Sequence, residues 1–276
     1  MPEEFTLDGE VRLRGDVAGE GDTLLLLHGW PDTRALYDEL GPQLVAAGYR
    51  VARLDLRGCG LSDKPPATED YAMAHLVDDV ARCVDYLGGP LSLLGHDWGA
   101  ALAWAVTALR PDLVQRLVVA SVGHPSAFRS AGLAQQVKSW YTLLFFHEGV
   151  GEAFLRMEDY GALRRLMGHP RAEAVIAELE RDGQMSAHLR WYRANLPPDA
   201  FVSPAPQLAR ITVPVLGLWS DRDVALSEEQ MRDSARFCDD FTYQRLEGLG
   251  HWMILEDPAR VAGLVLDFLA AHPVKF

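Results

Sequence analysis

Cysteine is scarce in this chain. The 276 residues hold three (Cys59, Cys83 and Cys238), with no Cys-x-x-Cys pair and one left over in any pairing. That pattern argues against a disulfide framework and against thiolate metal ligation, and leaves reduced thiols that pack as small apolar groups. Basic residues are also in deficit. Lys and Arg number 26 against 39 Asp and Glu, for a net charge of −13. With no basic stripe to offset that charge, a polyanionic nucleic acid is excluded as a partner. No stretch approaches the roughly 20 uninterrupted apolar residues of a membrane span. The opening MPEEFTLDGE is acidic and has no apolar core, so no secretory signal is expected and the expected compartment is the cytoplasm. Neither an internal repeat nor a His-Glu-x-x-His or other metal spacing is found, and no metal or cofactor is expected.

What is present is an alternation. Strand-like runs at Phe5–Leu7, Val11–Arg14 and Leu24–Leu27 come first. An amphipathic helix over Leu36–Ala47 then leads to a strand at Arg50–Leu54. A helix over Met73–Leu87 leads to Leu91–Leu94, and a helix over Ala100–Leu109 to Leu117–Ser121. Short continuous apolar strands alternating with helices predict an α/β fold with a mostly parallel sheet covered on both faces. After Pro125 the texture becomes helical only, at Ala131–Phe146, Gly151–Asp159, Ala172–Asp182 and Ser186–Arg193. It ends in the breakers Pro197-Pro198 and Pro204–Pro206. Strands return at Pro214–Trp219 and Thr242–Leu246, with helices near Ser227–Phe237 and Pro258–Ala271. Because the sheet pattern resumes, the expected organisation is a core of residues 1–127 and 206–276 with a helical cap of residues 128–205 inserted into it.

Three short segments carry chemistry. Leu91–Leu94 runs straight into Gly95-His96-Asp97-Trp98-Gly99, a Gly-x-nucleophile-x-Gly turn with Asp where serine is usual. Such a strand-to-helix turn exposes its middle side chain above the carboxyl edge of the sheet, and the helix N-terminus favours a carboxylate there. An Asp at this place also serves as an N-cap, so the motif needs partners. His251 is one: of nine histidines it lies in a glycine-flanked loop, Leu249-Gly250-His251-Trp252, after the last expected strand. His28 and His96 flank motifs and are expected to be hydrogen-bonded structural groups, while His147, His169, His188 and His272 have no such context. The third partner is an acid after an earlier strand, where Ser220-Asp221-Arg222-Asp223 offers both Asp221 and Asp223.

Four motifs in this order resemble the epoxide hydrolase and haloalkane dehalogenase branch of the α/β-hydrolase superfamily. They are His28-Gly29-Trp30-Pro31, Asp55-Leu56-Arg57-Gly58-Cys59-Gly60-Leu61-Ser62-Asp63-Lys64-Pro65, Gly95-His96-Asp97-Trp98-Gly99 and Gly250-His251-Trp252. One departure is Cys59, where the family more often has a larger or aromatic residue. The resemblance implies Asp97 as nucleophile, His251 as base and Asp223, rather than Asp221, as the acid that orients it. Some related dehalogenases place the acid one strand earlier, but Ser121-Val122-Gly123-His124 has no carboxylate. The resemblance further implies two ring-opening tyrosines in the cap: Tyr141, within Ser139-Trp140-Tyr141, and Tyr192, within Trp191-Tyr192-Arg193.

A carboxylate is ionised at neutral pH and can displace a leaving group at saturated carbon, giving an alkyl-enzyme ester. His251 would then activate water against the carbonyl carbon of Asp97, with the backbone N–H groups of Trp30 and Trp98 as oxyanion hole. An epoxide leaves an alkoxide that needs neutral O–H donors, a role phenols fill, whereas a halide needs N–H donors. Trp98 in place of Arg, and Trp30 in place of the Asn usual in dehalogenases, favour the epoxide. The expected partners are a small hydrophobic epoxide and water, bound by Trp30, Trp98, Tyr141 and Tyr192. The alternatives are a haloalkane dehalogenase with the same triad, and a slow or non-catalytic receptor. Oligomeric state is left open.

Overall fold

The computed structural model describes residues 2–181, 183–203 and 207–274. One sheet holds β1 (Glu3–Leu7), β2 (Leu13–Ala18), β3 (Thr23–Leu27), β4 (Arg50–Asp55), β5 (Leu91–His96), β6 (Val114–Ala120), β7 (Val215–Arg222) and β8 (Phe241–Gly250). Their order across the sheet is β1-β2-β4-β3-β5-β6-β7-β8. The β1–β2 and β2–β4 pairs are antiparallel and the remaining pairs parallel. Helices α1 (Leu40–Ala46), α2 (Met73–Leu87) and α3 (Trp98–Leu109) lie within the first part of the sheet pattern. Between β6 and β7 come α4 (Pro125–Ser130), α5 (Gly132–Lys138), α6 (Tyr141–Phe146), α7 (Val150–Gly161), α8 (Ala172–Leu179) and α9 (Gln184–Asn195). After β7 follow α10 (Glu228–Arg232), α11 (Met253–Glu256) and α12 (Pro258–Ala271). No helix among the described residues is long and apolar enough to cross a membrane.

The period-two geometry of a strand explains why β3 is a solid run of leucine. Leu25 and Leu27 point into a core shared with α2 and α3, while Leu24 and Leu26 point into a second core shared with α1 and α12. A central parallel strand has no solvent face, so the four positions from Leu24 to Leu27 are all apolar. Each such leucine contributes about 1.5–3 kcal/mol by leaving water.

Local chemistry moves several boundaries. The helix expected over Leu36–Ala47 is two pieces, a 3-10 turn at Arg34–Tyr37 and α1 from Leu40. Pro42 has no N–H for a bond to residue 38, and starting at Leu40 puts it in the first turn, where no intrahelical donor is needed. The expected Ala131–Phe146 helix is likewise cut at Ser139–Trp140. There Thr142 Oγ1 donates to the Ser139 carbonyl and Gln135 Nε2 to Ser139 Oγ, side-chain bonds that compete with the helical ladder. The Val11–Arg14 strand is shifted to Leu13–Ala18, with Asp16 inside it because Arg53 reaches across to that carboxylate at 2.8 Å. The Ser227–Phe237 helix divides into α10 and a 3-10 turn at Asp233–Phe237. The helical segment after β6 begins at Pro125, and the boundary set at residues 205 and 206 lies outside the described residues, as does Asp182.

Candidate active site

The turn after β5 is built by what glycine lacks. A Cβ on Gly99 would run into the Leu27 carbonyl, and one on Gly95 into the Gly99 carbonyl, so the strand and α3 meet only if both are glycine. Asp97 between them takes φ 53° and ψ −122°, a conformation an L-residue adopts at a cost of about 1–3 kcal/mol. Its side chain is thereby held over the carboxyl edge of the sheet and is buried. The Trp30 N–H donates to Asp97 Oδ1 at 2.7 Å, and the Trp98 N–H also bonds this carboxylate. These are the two donors expected at an oxyanion hole.

His251 follows β8 and Asp223 follows β7, so adjacent parallel strands deliver them side by side. His251 Nδ1 lies 2.9 Å from Asp223 Oδ2, and Nε2 lies 3.7 Å from Asp97 Oδ2. Asp223 Oδ1 accepts from the N–H groups of Ala225 and Leu226 at 2.8 and 2.9 Å, which fixes the carboxylate that fixes the ring. The alternative acid, Asp221, is turned away and accepts the Gly248 N–H at 2.7 Å. His96 Nε2 lies 2.9 Å from the His251 carbonyl, and Ser121 Oγ donates to the same oxygen at 3.2 Å. His28 Nε2 takes the Leu56 N–H at 3.1 Å.

Burial sets the electrostatics. It pushes the Asp97 carboxyl up to about 6, against the opposing pull of His251. Burial also works against protonated His251, but Asp223 and Asp97 outweigh it and raise the imidazole to about 9. Asp223 is held below the usual carboxylate range because His251 and two backbone donors overcome its desolvation. The site is therefore an imidazolium-stabilising pocket with the Asp223 carboxylate rigidly bonded and the Asp97 carboxylate facing His251 through Oδ2.

Tyr141 and Tyr192 line the same cavity as Asp97, about 330 Å³ in volume and mostly apolar. Tyr141 and Asp97 also line a smaller cavity of about 60 Å³ that includes His251 and Trp30. The two rings are 6.4 Å apart and steeply inclined, and the phenols interact directly with each other. Burial and the nearby Asp97 raise both phenols above their ordinary range, so both remain O–H donors through neutral pH.

The neighbours of Tyr192 explain the Trp-Tyr-Arg sequence around it. Trp191 Nε1 donates to the Arg57 carbonyl at 2.9 Å, and Arg57 itself grips Asp79 at 2.7 and 2.9 Å. Arg193 pairs with Glu152 at 2.8 and 2.9 Å and donates to the Phe145 carbonyl at 3.1 Å. The Asp55–Pro65 motif is thus scaffolding that anchors α9, and Arg193 ties α9 to α6 and α7. Cys59 is buried within that scaffold, its Sγ 3.8 Å from His188 Nδ1.

One group escapes a motif-based reading. Asp32 is buried, receives the Trp252 indole N–H at 2.9 Å, and lies 3.2 Å from His169 Nε2. It joins the Trp30 turn to the loop of His251 and to the helical segment through His169. Its sequence signal was the acid directly after His28-Gly29-Trp30-Pro31.

A mostly parallel eight-stranded sheet with an Asp, a His and a second Asp gathered at its carboxyl edge defines an α/β-hydrolase. The family model described as alpha/beta hydrolase fold matches residues 22–258, and the chain belongs to that family. It is 30% identical to the AB hydrolase superfamily protein YfhM of Bacillus subtilis over 281 residues, which cover 96% of this chain and 97% of that protein. It is 31% identical to Epoxide hydrolase 2 of Caenorhabditis elegans over 269 residues, covering 91% of this chain and 74% of that one. Among solved structures, epoxide hydrolase A from Mycobacterium thermoresistibile is similar with a TM-score of 0.84 at 26% identity, over 100% of both chains. The Bacillus megaterium epoxide hydrolase in complex with an inhibitor gives 0.86 at 24% identity over 96% of this chain and 100% of that one, a likeness of fold.

Proposed function

We propose that this chain is an epoxide hydrolase that converts a hydrophobic epoxide to a vicinal diol through an ester on Asp97. The observation that carries the reading is the pair of phenols, Tyr141 and Tyr192, lining one cavity with a buried carboxylate whose Oδ2 stands 3.7 Å from His251 Nε2. Asp97 Oδ2 attacks one oxirane carbon, the C–O bond breaks, and the phenols donate to the departing alkoxide, which becomes a hydroxyl by taking a proton from one of them, solvent then restoring that phenol. Oδ1, held by the Trp30 N–H with the Trp98 N–H on the same carboxylate, becomes the ester carbonyl oxygen. His251 then takes a proton from water, the hydroxide adds to Cγ, and Oδ1 carries the negative charge. Collapse breaks the Cγ–Oδ2 bond, the leaving alkoxide takes the proton from His251, and the new carboxylic acid loses its proton to solvent, so one diol oxygen comes from Asp97 and the water oxygen stays in the restored carboxylate.

The family relatives named as epoxide hydrolases support this reading. A dehalogenase would need indole N–H groups free to receive a halide. The Trp98 indole is engaged by the Tyr192 phenol, which counts against it, while the buried Trp30 indole N–H has no partner among the described residues. The residues after β6 and before β7 act in this reading as a cap that supplies the phenols. Incubation with styrene oxide and a long-chain 1-bromoalkane, with Asp97→Asn as blank, tests the proposal. Diol without bromide, lost in the variant, supports it; bromide without diol overturns it.

A further inference from the structure

Helix α5 is built inside out. A surface helix ordinarily buries its apolar stripe and turns its polar face to water. Here Gln135 is 2% exposed, whereas Leu133 and Val137 are 78% and 70% exposed. Both ends of the buried amide are used: Nε2 donates to Ser139 Oγ and to the Ala225 carbonyl, each at 2.9 Å, and Oε1 accepts the Ser227 N–H at 2.8 Å. Gln136 Nε2 donates to the Phe201 carbonyl at 3.1 Å, and Lys138 Nζ donates to the Asp223 carbonyl. The polar side chains thus fasten α5 to the rest of the protein, and the apolar ones are left outside. Leu133 and Val137 share one helical face, and Trp140 and Leu143 follow at three-residue steps, both exposed.

Charge and position narrow what covers this surface. Residues 125–147 contain Arg129 and Lys138 and no acid, in a chain that has 39. Asp199 opposes Arg129, while Lys138 forms no ion pair among the described residues. A second copy of the chain does not answer these charges. A two-fold pair would set the face against itself, cation to cation, between chains of net charge −13. Phospholipid phosphates do answer them, and the acyl layer beneath takes up exposed apolar side chains. Position agrees with charge. Trp140, Leu166 and Val224, all exposed, line the small cavity that holds Asp97 and His251, so the apolar surface adjoins an opening into the site. An indole at such a rim suits a boundary between lipid and water.

We propose that the outer face of α5 and the start of α6 docks on a phospholipid surface. Arg129 and Lys138 meet phosphates there, and Leu133, Val137 and Trp140 enter the boundary between headgroups and acyl chains. Docking sets the opening of the small cavity against the layer where hydrophobic compounds collect. Lipid binding of this kind is independent of the reaction at Asp97.

Flotation with mixed phosphatidylcholine–phosphatidylglycerol vesicles tests it, comparing the unaltered protein with Leu133→Asp/Val137→Asp. Both side chains are exposed, so the variant should keep the thermal midpoint of the unaltered protein. The unaltered protein should float with the vesicles, and the variant should bind about tenfold more weakly or worse. Leu133→Ser/Val137→Ser, which adds no charge, should lose part of the binding through lost apolar contact alone. Pure phosphatidylcholine vesicles and added salt should each weaken binding of the unaltered protein. Flotation indifferent to both would overturn the role of the cations. No flotation of the unaltered protein, or equal flotation of the Asp variant, overturns the proposal. A concentration-dependent dimer in sedimentation velocity, abolished in the Asp variant and seen without flotation, would assign the face to a second copy instead.

Discussion

His251 Nε2 stops 3.7 Å from Asp97 Oδ2, while its Nδ1 is bonded to Asp223 at 2.9 Å. The first distance is too long for a hydrogen bond, and the second fixes the ring so that it does not swing closer. The imidazole is therefore placed for a water beside the Asp97 carboxyl carbon, and it is not needed to activate Asp97. His251→Gln should still form the ester but hydrolyse it about 100- to 10,000-fold more slowly. Intact-mass analysis should show one adduct per chain, mapped to the Asp97 peptide. Unimpaired multiple turnover would remove His251 from the mechanism.

The tyrosines act on the other half-reaction. With burial holding both phenols protonated, each contributes a hydrogen bond that strengthens as the alkoxide develops. Tyr141→Phe and Tyr192→Phe should each slow alkylation by about 10- to 100-fold, for a loss of about 1.5–3 kcal/mol. Hydrolysis of the preformed ester should hardly change. Full activity in the double variant would return both rings to simple packing.

The two half-reactions should separate with pH. Alkylation needs ionised Asp97, so its single-turnover rate should fall as pH drops below about 6. Ester formation removes the Asp97 charge, one of the anions that hold the proton on His251 at a pKa of about 9. Its pKa must therefore be lower in the ester than in the free protein, which lets it serve as base nearer neutrality. Stopped-flow tryptophan fluorescence, with Trp30 and Trp98 beside Asp97, would follow both phases. An alkylation rate flat down to pH 4 would contradict the assignment.

Burying an ionised Asp97 should cost stability. Its folded-state pKa is raised, so folding is favoured below the unfolded pKa and that advantage is lost as pH rises to about 6. Asp97→Asn should then be more stable by about 1–3 kcal/mol at pH 7, with a smaller gain near pH 4. Denaturant unfolding at both pH values reads this directly. A destabilised variant at pH 7 would show that the interactions of the carboxylate outweigh its desolvation.

The legible parts of this molecule are those written over short distances. The leucines of β3, the glycines around Asp97 and the strand-to-helix order are local patterns with one physical solution, and they carry the fold and Asp97. Boundaries were lost where a side chain competes with the backbone, as at Ser139 and Thr142, or where one residue vetoes a helix, as at Pro42. Asp32 was missed for another reason. Its partners His169 and Trp252 lie 137 and 220 residues away, and neither contact leaves a period or a spacing in the chain. The choice of Asp223 over Asp221 also came from resemblance, since the two flank the end of β7 and only the structure shows which one reaches His251.

The central claim is that Asp97, not water, opens the ring. A single turnover in ¹⁸O-water, with enzyme in excess over epoxide, tests it most directly. The account predicts unlabelled diol from that turnover, with the ¹⁸O recovered in the Asp97 peptide. Label in the first diol with none in Asp97 would mean that water attacks the epoxide itself, and would contradict the account.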